Sequence, residues 1–393
     1  MIQTGLDIQR IRQATPAVET LRDFNAAGSS LPTKATVEAV IKYLREEALQ
    51  GGYTYYERKR DELDQIYQHA AQLINAKPSE ISIVENATVA FVKALFGIDW
   101  QPGDVILTSE IEYGNNFLNF LKLKQEKGVE IRVAPSDELG DVDVQRFENY
   151  IDDKVKLIAV THIPTNSGAI APVATIGKIA RMHDILYLVD ACQSIGHIPF
   201  DVQEIGCDFA SATSRKYLRG PRGLGFLYVS ERVLMKMQPT YFEMLTTEWI
   251  DEERYQLSRS NIMFENFERP MAMIAGFSNA LAEANELGII NTWPRIKLLA
   301  DYLRERLVQV QDVVLHDIGK QQCGIVSFRK TGVDANALKN HLDEFDINTS
   351  VSPRFCTALD MNKRGLDNVN RASLHYYNTK EEIDFLIDKI DAI

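Results

Sequence analysis

The feature that most constrains the fold is a regular alternation of short β-branched segments with amphipathic segments of helical length, beginning at about residue 78. Strands that alternate with helices favour βαβ crossovers and a mainly parallel sheet covered on both faces. Ligands of such sheets bind outside the carboxyl ends of the strands, so we expect the site there. The predicted strands are ISIV (81–84), VILT (105–108), IRVA (131–134), LIAVTH (157–162) and LYLVD (186–190), and helices are predicted from about Asn86, Asn115, Asp143 and Val173.

A second pattern begins after residue 265 and favours a smaller α+β unit with its own core. The segment from Pro32 to Ala76 is predicted to be helical around a break at Gly51–Gly52 and to pack partly against this unit. We therefore predict an N-terminal arm (1–20), a large domain (21–265) and a small C-terminal domain (266–393). The predicted elements of the small domain are helices at 268–288 and 292–310, VVLH, GIVSF, a helix near 334–345, INTSV, RASLHY and a helix from about Thr379.

Composition excludes several classes of partner. The 393 residues carry 43 Lys and Arg against 55 Asp and Glu, a net charge of -12 without a basic block, so nucleic acid and anionic membranes would be repelled. No apolar run approaches the roughly 20 residues of a membrane span. The start, MIQTGLDIQRIRQ, lacks the apolar core of a signal peptide. Four cysteines without paired spacing and seven histidines without metal spacing predict a reduced, cytoplasmic protein with no metal site.

The chemistry is concentrated in two neighbouring segments, LYLVDACQSIGHIPFDV and GCDFASATSRKYLRGPRGLGFLYV. Asp190 ends a buried strand, where a carboxylate requires a cation or a strong donor. Lys216 lies in a polar turn ahead of the glycine-rich loop Arg219–Gly223. A lysine with a distant strand-end aspartate is what pyridoxal phosphate (PLP) chemistry requires. The amine bonds the cofactor aldehyde, and the carboxylate keeps the pyridine nitrogen protonated so that the ring accepts electrons.

With these residues in this order, the chain resembles the class V aminotransferases of PLP fold type I. That family includes cysteine desulfurases, C–S lyases acting on cystine or cysteine conjugates, and enzymes similar to isopenicillin N epimerase. The resemblance extends from FNAAGSSLP near residue 24 to RASLHYYNT near residue 371. It implies an α/β fold with a mainly parallel seven-stranded sheet in the large domain, PLP as cofactor, a small amino acid as substrate, and a homodimer with the cofactor sites at the subunit interface.

The resemblance also assigns the cofactor contacts. Lys216 is the catalytic residue that bonds the cofactor, Asp190 meets the pyridine nitrogen, and Gln193 meets the phenolic oxygen or its neighbourhood. The ENAT segment follows a strand and opens a helix, so the backbone at Ala87 and the hydroxyl of Thr88 suit the phosphate. Further phosphate contacts are assigned to Thr213, to Arg215 and to a residue near Arg269 of the partner subunit.

The remaining assignments concern the ring face and the substrate. Desulfurases stack a histidine on the ring after a glutamate; this chain has Glu112–Tyr113, so Tyr113 takes that role. Asn166 in THIPTNSG is assigned to the cofactor. The desulfurase motif CRAS appears as NRAS, which makes Arg371 the clamp for the α-carboxylate, with Asn25 as a second contact. Plainer alternatives are a core role for Tyr113 and turn capping by Asn166 and Gln193.

The loop before Arg371 bears on the reaction. Desulfurases place a sulfur-accepting cysteine in R-x-G-x-x-C, whereas the segment Ser350–Cys356 lacks that glycine. Arg215 stands where desulfurases have histidine, which removes a titrating proton shuttle. Arg354 is interpreted either as recognising a distal carboxylate or as a solvated loop residue.

We therefore expect a C–S lyase that releases pyruvate and ammonia by β-elimination from cysteine, cystine or a cysteine S-conjugate. An aminotransferase or amino-acid epimerase of a specialised pathway is the first alternative, and a cysteine desulfurase that uses Cys356 is the second. A binding or regulatory protein that keeps only the fold is a third, which the presence of Lys216 and Asp190 disfavours.

Overall fold

The computed structural model describes residues 5–393; residues 1–4 of the predicted N-terminal arm lie outside the described residues. The strands are β1 (Arg22–Asp23), β2 (Ile81–Val84), β3 (Val105–Ser109), β4 (Glu130–Ala134), β5 (Val155–Thr161), β6 (Leu186–Asp190), β7 (Phe209–Thr213), β8 (Gly225–Val229), β9 (Thr247–Trp249), β10 (Tyr255–Leu257), β11 (Val313–Leu315), β12 (Ile325–Lys330), β13 (Ile347–Asn348), β14 (Ser350–Pro353) and β15 (Asn368–Ser373).

Fifteen α-helices are assigned within the described residues. They are α1 (Ile8–Gln13), α2 (Lys34–Gln50), α3 (Gly52–Leu63), α4 (Gln65–Ile74), α5 (Ala87–Phe96), α6 (Gly114–Lys127), α7 (Val144–Glu148), α8 (Val173–Met182), α9 (Val202–Ile205), α10 (Glu231–Leu234), α11 (Met271–Leu287), α12 (Ile289–Leu307), α13 (Ala335–Asp343), α14 (Ala358–Lys363) and α15 (Lys380–Asp391).

Seven strands form the large sheet in the order β2-β8-β7-β6-β5-β3-β4. Strand β8 is antiparallel to both neighbours, and the pairs from β7 to β4 are parallel. The predicted mainly parallel, seven-stranded α/β fold is therefore confirmed. In the register of the central strands Thr161 pairs with Asp190, and Asp190 with Ser211, so these three carboxyl ends meet at one edge.

Helices cover both faces of this sheet because its strands are apolar on both sides. One core cluster packs β-sheet residues against α4, α8 and α11, and a second packs them against α5 and α6. Helix α5 begins where the sequence predicts, since the Asn86 side chain accepts a hydrogen bond from the Val89 N–H and caps the helix.

A smaller antiparallel sheet, β11-β12-β15-β14, packs with α12, α13 and α15 around a separate core. The start of the chain joins this region, because β1 pairs with β13 and Asn25 forms a bridge to Ser373. Helix α11, which falls in the predicted small domain, contributes Phe277 and Leu281 to the core of the large sheet and packs on α2 and α4. The domain boundary at residue 265 stays a prediction.

All four cysteines are free thiols. Among residues 5–393, no helix is long and apolar enough to cross a membrane. Within the same range, no three His, Cys, Asp or Glu side chains cluster in a way that could hold a metal ion.

Candidate active site

The carboxyl ends of β5, β6 and β7 border a cavity of about 470 Å³, to which the first turns of α5 and α6 also contribute. The structure thus brings together residues that are up to about 130 positions apart in the sequence. Eight of the predicted site residues line the cavity: Ala87, Thr88, Tyr113, Asp190, Gln193, Thr213, Arg215 and Lys216.

Asp190, the last residue of β6, is buried with a relative exposure of 6%. Its Oδ1 accepts a hydrogen bond from the Cys192 N–H at 2.9 Å, and its Oδ2 accepts one from Nδ2 of Asn116 at 2.8 Å. In the described part of the chain, no Lys or Arg nitrogen lies within 4 Å of this carboxylate. A buried carboxylate held only by neutral donors is suited to a cationic group entering from the cavity.

Lys216 lies in the turn after β7, and its Nζ contacts Sγ of Cys192 at 3.2 Å. Burial lowers the pKa of Lys216 from its usual value. The lowered pKa favours the neutral amine, which is the form that can attack a carbonyl group. The structure therefore presents a nucleophilic amine inside the cavity.

One end of the cavity suits an anion. Ala87 and Thr88 form the first turn of α5, whose N–H groups have no partners within the helix. A side chain at Gly225 would overlap the Ala212 carbonyl and approach Ala87, so glycine allows β8 to pass this close to the helix start. Nη1 of Arg215 is buried and has no hydrogen-bond partner among the described residues.

Behind the cavity lies Glu112, which is only 2% exposed. Burial raises its pKa to about 7, because several hydrogen bonds only partly offset the loss of hydration. One of these bonds comes from Asn116, which also bonds Asp190.

Tyr113 lines the cavity at the start of α6. Its backbone N–H donates to Oε1 of Glu112 at 2.9 Å and lies 3.1 Å from Oγ1 of Thr161. Burial raises the pKa of the Tyr113 hydroxyl, so the ring remains an uncharged phenol at neutral pH. The aromatic ring is thus held beside the cavity, as stacking on a cofactor would require.

Two predicted amide contacts differ in position. Gln193 lines the cavity, but its Nε2 donates to the Ala27 carbonyl at 3.1 Å and its buried Oε1 has no partner. Its Nε2 also lies 3.5 Å from Oγ1 of Thr165, so the amide is held by neighbouring groups of the cavity wall. Asn166 lies outside the lining: it donates to the Pro353 carbonyl and accepts from Ser352, and so connects the loop after β5 to β14.

Arg371 and Asn25 lie next to the cavity and contact each other at 3.4 Å. Arg371 is 6% exposed, and its Nη1 donates to Oγ1 of Thr165 at 2.6 Å, a residue that lines the cavity. Its Nε donates to Ser350 at 3.0 Å. Within residues 5–393 no carboxylate pairs with this buried guanidinium, which leaves its charge available to an anionic ligand.

The structure does not bring Arg354 to the cavity. Its side chain is 54% exposed and pairs with Asp367 at the surface at a distance of 3.2 Å. This position agrees with the solvated-loop alternative.

Cys356 lies in a short 3-10 helix whose Phe355 carbonyl packs directly on Gly114; a side chain at that glycine would overlap the carbonyl. Burial raises the pKa of the Cys356 thiol, although the charges of Arg371 and Lys216 oppose the shift. The thiol is therefore close enough for the charges of Arg371 and Lys216 to act on it, but its raised pKa favours the protonated, less nucleophilic form.

Arg269, expected near a phosphate in the partner subunit, is already bonded within its own chain. It makes an ion pair with Glu265 and donates to the Tyr67 hydroxyl at 3.0 Å. Its role across a subunit interface stays a prediction.

Sequence reasoning missed several residues of the cavity wall. Cys192 lies two residues after the predicted aspartate, and its spacing was a usable signal. The others gave none, because their positions depend on how the strand ends and loops meet in three dimensions. The missed lining residues include Asn116, Thr161, Thr165, Cys192 and Arg222.

Comparison with known proteins identifies the family. The model described as "Aminotransferase class-V" matches residues 23–386, and the chain belongs to that family. A relative named "Probable cysteine desulfurase" from Methanothermobacter thermautotrophicus is 32% identical over 385 residues, covering 96% of each protein. The protein is thus a PLP-dependent enzyme of class V.

Solved structures show the same fold. The apo cysteine desulfurase from Thermococcus onnurineus NA1 superposes with a TM-score of 0.91 at 24% identity, covering 98% of this chain and 97% of that one. The cystine C–S lyase C-DES, solved with its reaction product cysteine persulfide, gives a TM-score of 0.87 at 24% identity, covering 96% of this chain and 99% of that one.

The cavity fits PLP on its own evidence. Asp190 is a buried carboxylate without a cation, as a protonated pyridine nitrogen requires. Arg215, whose buried Nη1 has no hydrogen-bond partner among the described residues, and the start of α5 both line the cavity, as a phosphate requires. The amine of Lys216 supplies the group that bonds the aldehyde.

Proposed function

We propose that this enzyme cleaves the carbon–sulfur bond of cysteine, cystine or a cysteine S-conjugate by β-elimination. The step releases the sulfur leaving group and aminoacrylate, which water then converts into pyruvate and ammonia. The observation that carries the proposal is Arg371, a buried guanidinium without a carboxylate beside a cavity that contains the Lys216 amine. This combination suits an α-amino acid. Sulfur chemistry is supported by relatives named for cysteine desulfurisation and by the fold match to a cystine C–S lyase.

The roles of the residues follow from their surroundings. PLP, when bound, supplies a ring that withdraws electrons from the substrate α-carbon. Asp190 would hold the proton on the ring nitrogen, and the first turn of α5 with Arg215 would hold the phosphate. Lys216, whose pKa burial lowers, is the base that takes the α-proton, and it can then give that proton to the departing thiolate.

Substrate orientation falls to Arg371. Its guanidinium can bind an α-carboxylate through Nη2, whose contact with Asn25 is long at 3.4 Å, while Thr165 and Ser350 hold Nη1 and Nε in place. Holding the carboxylate fixes the direction of the α-hydrogen and of the β-substituent, and this selects which bond breaks.

A second candidate is cysteine desulfurisation, in which Cys356 takes the sulfur as a persulfide and the remaining fragment leaves as alanine. It is favoured by the position of Cys356, whose thiol senses the charges of Arg371 and Lys216. Against it stand the raised pKa of the thiol and the packing of its segment on Gly114.

The deciding experiment offers cysteine, cystine and several cysteine S-conjugates to the PLP-loaded protein and to Cys356→Ser, and measures pyruvate, alanine and sulfide. Pyruvate from both proteins supports β-elimination. Alanine that disappears in Cys356→Ser would instead establish the desulfurase. Neither product from any substrate would overturn both proposals in favour of transamination or epimerisation.

We also propose a cytoplasmic homodimer. The four free thiols support a reducing compartment. A dimer is supported by large apolar side chains that are exposed in the single chain, a pattern typical of protein interfaces: Tyr53, Met244, Trp249 and Phe267. Sedimentation of the loaded enzyme as a monomer would contradict it.

A further inference from the structure

Glu112 is a buried carboxylate that the proposed reaction does not use directly. It is 2% exposed, and its oxygens accept hydrogen bonds from the hydroxyls of Thr161 at 2.5 Å and Thr108 at 3.0 Å. The Tyr113 N–H and Nδ2 of Asn116 also donate to it, each at 2.9 Å. Four neutral donors and no cation surround the group, so the fold buries a carboxylate that is held by hydrogen bonds alone.

Asn116 connects Glu112 to the aspartate of the site. Its Nδ2 donates to Oε1 of Glu112 at 2.9 Å and to Oδ2 of Asp190 at 2.8 Å, which uses both amide hydrogens. Because both partners are acceptors, the nitrogen and not the oxygen of the amide must face them. The position of the Asp190 carboxylate therefore depends on the carboxylate behind it.

We propose that Glu112 is a positioning residue: through Asn116 it fixes the Asp190 carboxylate, and its negative charge strengthens the hold of Asp190 on a protonated pyridine nitrogen. The groups packed around Glu112 are the neutral Thr108 of β3, Thr161 of β5 and Asn116 of α6. Asp190 is the charged group that acts on it. Two carboxylates joined by one amide favour a cation in the cavity more than either does alone.

The pKa of Glu112 agrees with this arrangement. Burial and the charge of Asp190 raise it to about 7, so the cofactor-free protein holds a proton at this site near neutrality. A pyridinium beside Asp190 would favour the charged carboxylate and so release that proton.

The test measures the protonation of the cofactor's pyridine nitrogen and not the formation of product. The protein is loaded with PLP labelled with ¹⁵N at the pyridine nitrogen, and the ¹⁵N chemical shift is followed against pH in wild type and Glu112→Gln. Glutamine keeps the shape and the acceptor for Asn116 but removes the charge. We expect the protonation midpoint of the ring nitrogen to fall by about one pH unit, a tenfold change in its proton affinity.

A second variant keeps the proposal testable if Glu112→Gln folds poorly. Thr108→Val is nearly isosteric and removes the hydroxyl that bonds Oε2 of Glu112 outside the cavity. Losing that donor favours the protonated acid, so the midpoint should shift in the same direction by a smaller amount. Glu112→Asp, which keeps the charge, should restore the wild-type midpoint.

The matched control is Asp317→Asn, which neutralises a carboxylate whose side chain is 2% exposed and which does not line the cavity. It should leave the ¹⁵N titration unchanged. Wild-type titrations in both Glu112→Gln and Thr108→Val, or an equal shift in Asp317→Asn, would overturn the proposal. The inference rests on the proposed role of Asp190, but because it is read at the cofactor, failure of the C–S cleavage assay would leave it standing.

Discussion

Buried charges are arranged differently in the two sheets of the molecule. Behind the small sheet, Arg304 and Asp317 pair at 2.7 Å, and Asp317 also accepts hydrogen bonds from the backbone of Gly168 and Ser327. At the carboxyl edge of the large sheet, Asp190 and Arg371 are equally buried but have no partner of opposite charge within the described residues. The charges behind the small sheet neutralise each other within the chain, whereas Asp190 and Arg371 can be neutralised only by charged groups of a bound ligand.

The largest effect is expected from Lys216→Ala. Removing the amine abolishes the covalent link to the cofactor and lowers turnover by at least about 10⁴-fold. Visible absorbance of the loaded protein and a product assay measure both. Lys330→Ala is the control from the small domain, where a buried Nζ bonds the Ile390 carbonyl; it should weaken the fold and leave the absorbance intact.

Asp317→Ala removes the carboxylate of the buried Arg304–Asp317 ion pair and should be the most destabilising of the substitutions considered. It leaves the buried Arg304 guanidinium with only the partly exposed Asp301, 3.5 Å away, as a charged partner, which costs about 3–5 kcal/mol of unfolding free energy. Urea unfolding of the cofactor-free protein measures the loss. A change below about 1 kcal/mol would show that the small-sheet pair is not structurally important.

Stability should also depend on pH through Glu112. Its folded pKa is about 7 against an ordinary 4.5, so its contribution is fully present below pH 4.5 and is lost as pH rises through 7. The size of this contribution is about 3 kcal/mol. The measurement is urea unfolding of the cofactor-free wild type and of Glu112→Gln at pH 5 and 8. The unfolding free energy should fall between these pH values by less in the variant than in wild type, and an equal fall in both proteins would refute the prediction.

Arg371→Lys tests one of the two buried charges that lack a partner of opposite charge, and it retains the positive charge. Lysine cannot bind two carboxylate oxygens in parallel, so kcat/KM should fall by about 10²-fold, mainly through KM. Steady-state kinetics measure this with the substrate found in the product assay. The unfolding free energy should change less than in Asp317→Ala.

The smallest effect is expected from Arg354→Ala. The side chain is more than half exposed and pairs with Asp367 at the surface. We therefore expect kcat/KM to change by less than about twofold and the unfolding free energy by less than about 0.5 kcal/mol. A tenfold loss with a dicarboxylic substrate would restore its predicted role in substrate recognition.

The central residues of the candidate site could be singled out in the sequence because strand ends are local features. Asp190 and Lys216 each follow a recognisable strand, and the register of parallel strands places such ends together. The predicted strand and helix positions in the large sheet were confirmed for the same reason, since hydrophobic periodicity marks them directly.

Residues away from strand ends were harder to place. Asn116 lies in the first turn of α6 among other polar residues, and nothing local shows that this face of the helix meets Asp190. Asn166 lies in a turn after β5 and Arg354 begins the short 3-10 helix after β14, where a shift of one or two positions decides whether a side chain enters the cavity. Their positions are set by tertiary contacts that one sequence does not display.

The bridge between Asn25 and Ser373 has a consequence for synthesis of the protein. The carboxylate clamp needs both ends of the chain, because Arg371 is held partly by Asn25 across 346 positions. A growing chain can complete the large sheet, with Lys216 and Asp190, long before β15 exists. If Arg371 binds the substrate carboxylate as proposed, substrate selection is the last property that the nascent enzyme acquires, and a chain that ends before residue 371 would retain the reactive amine without that group.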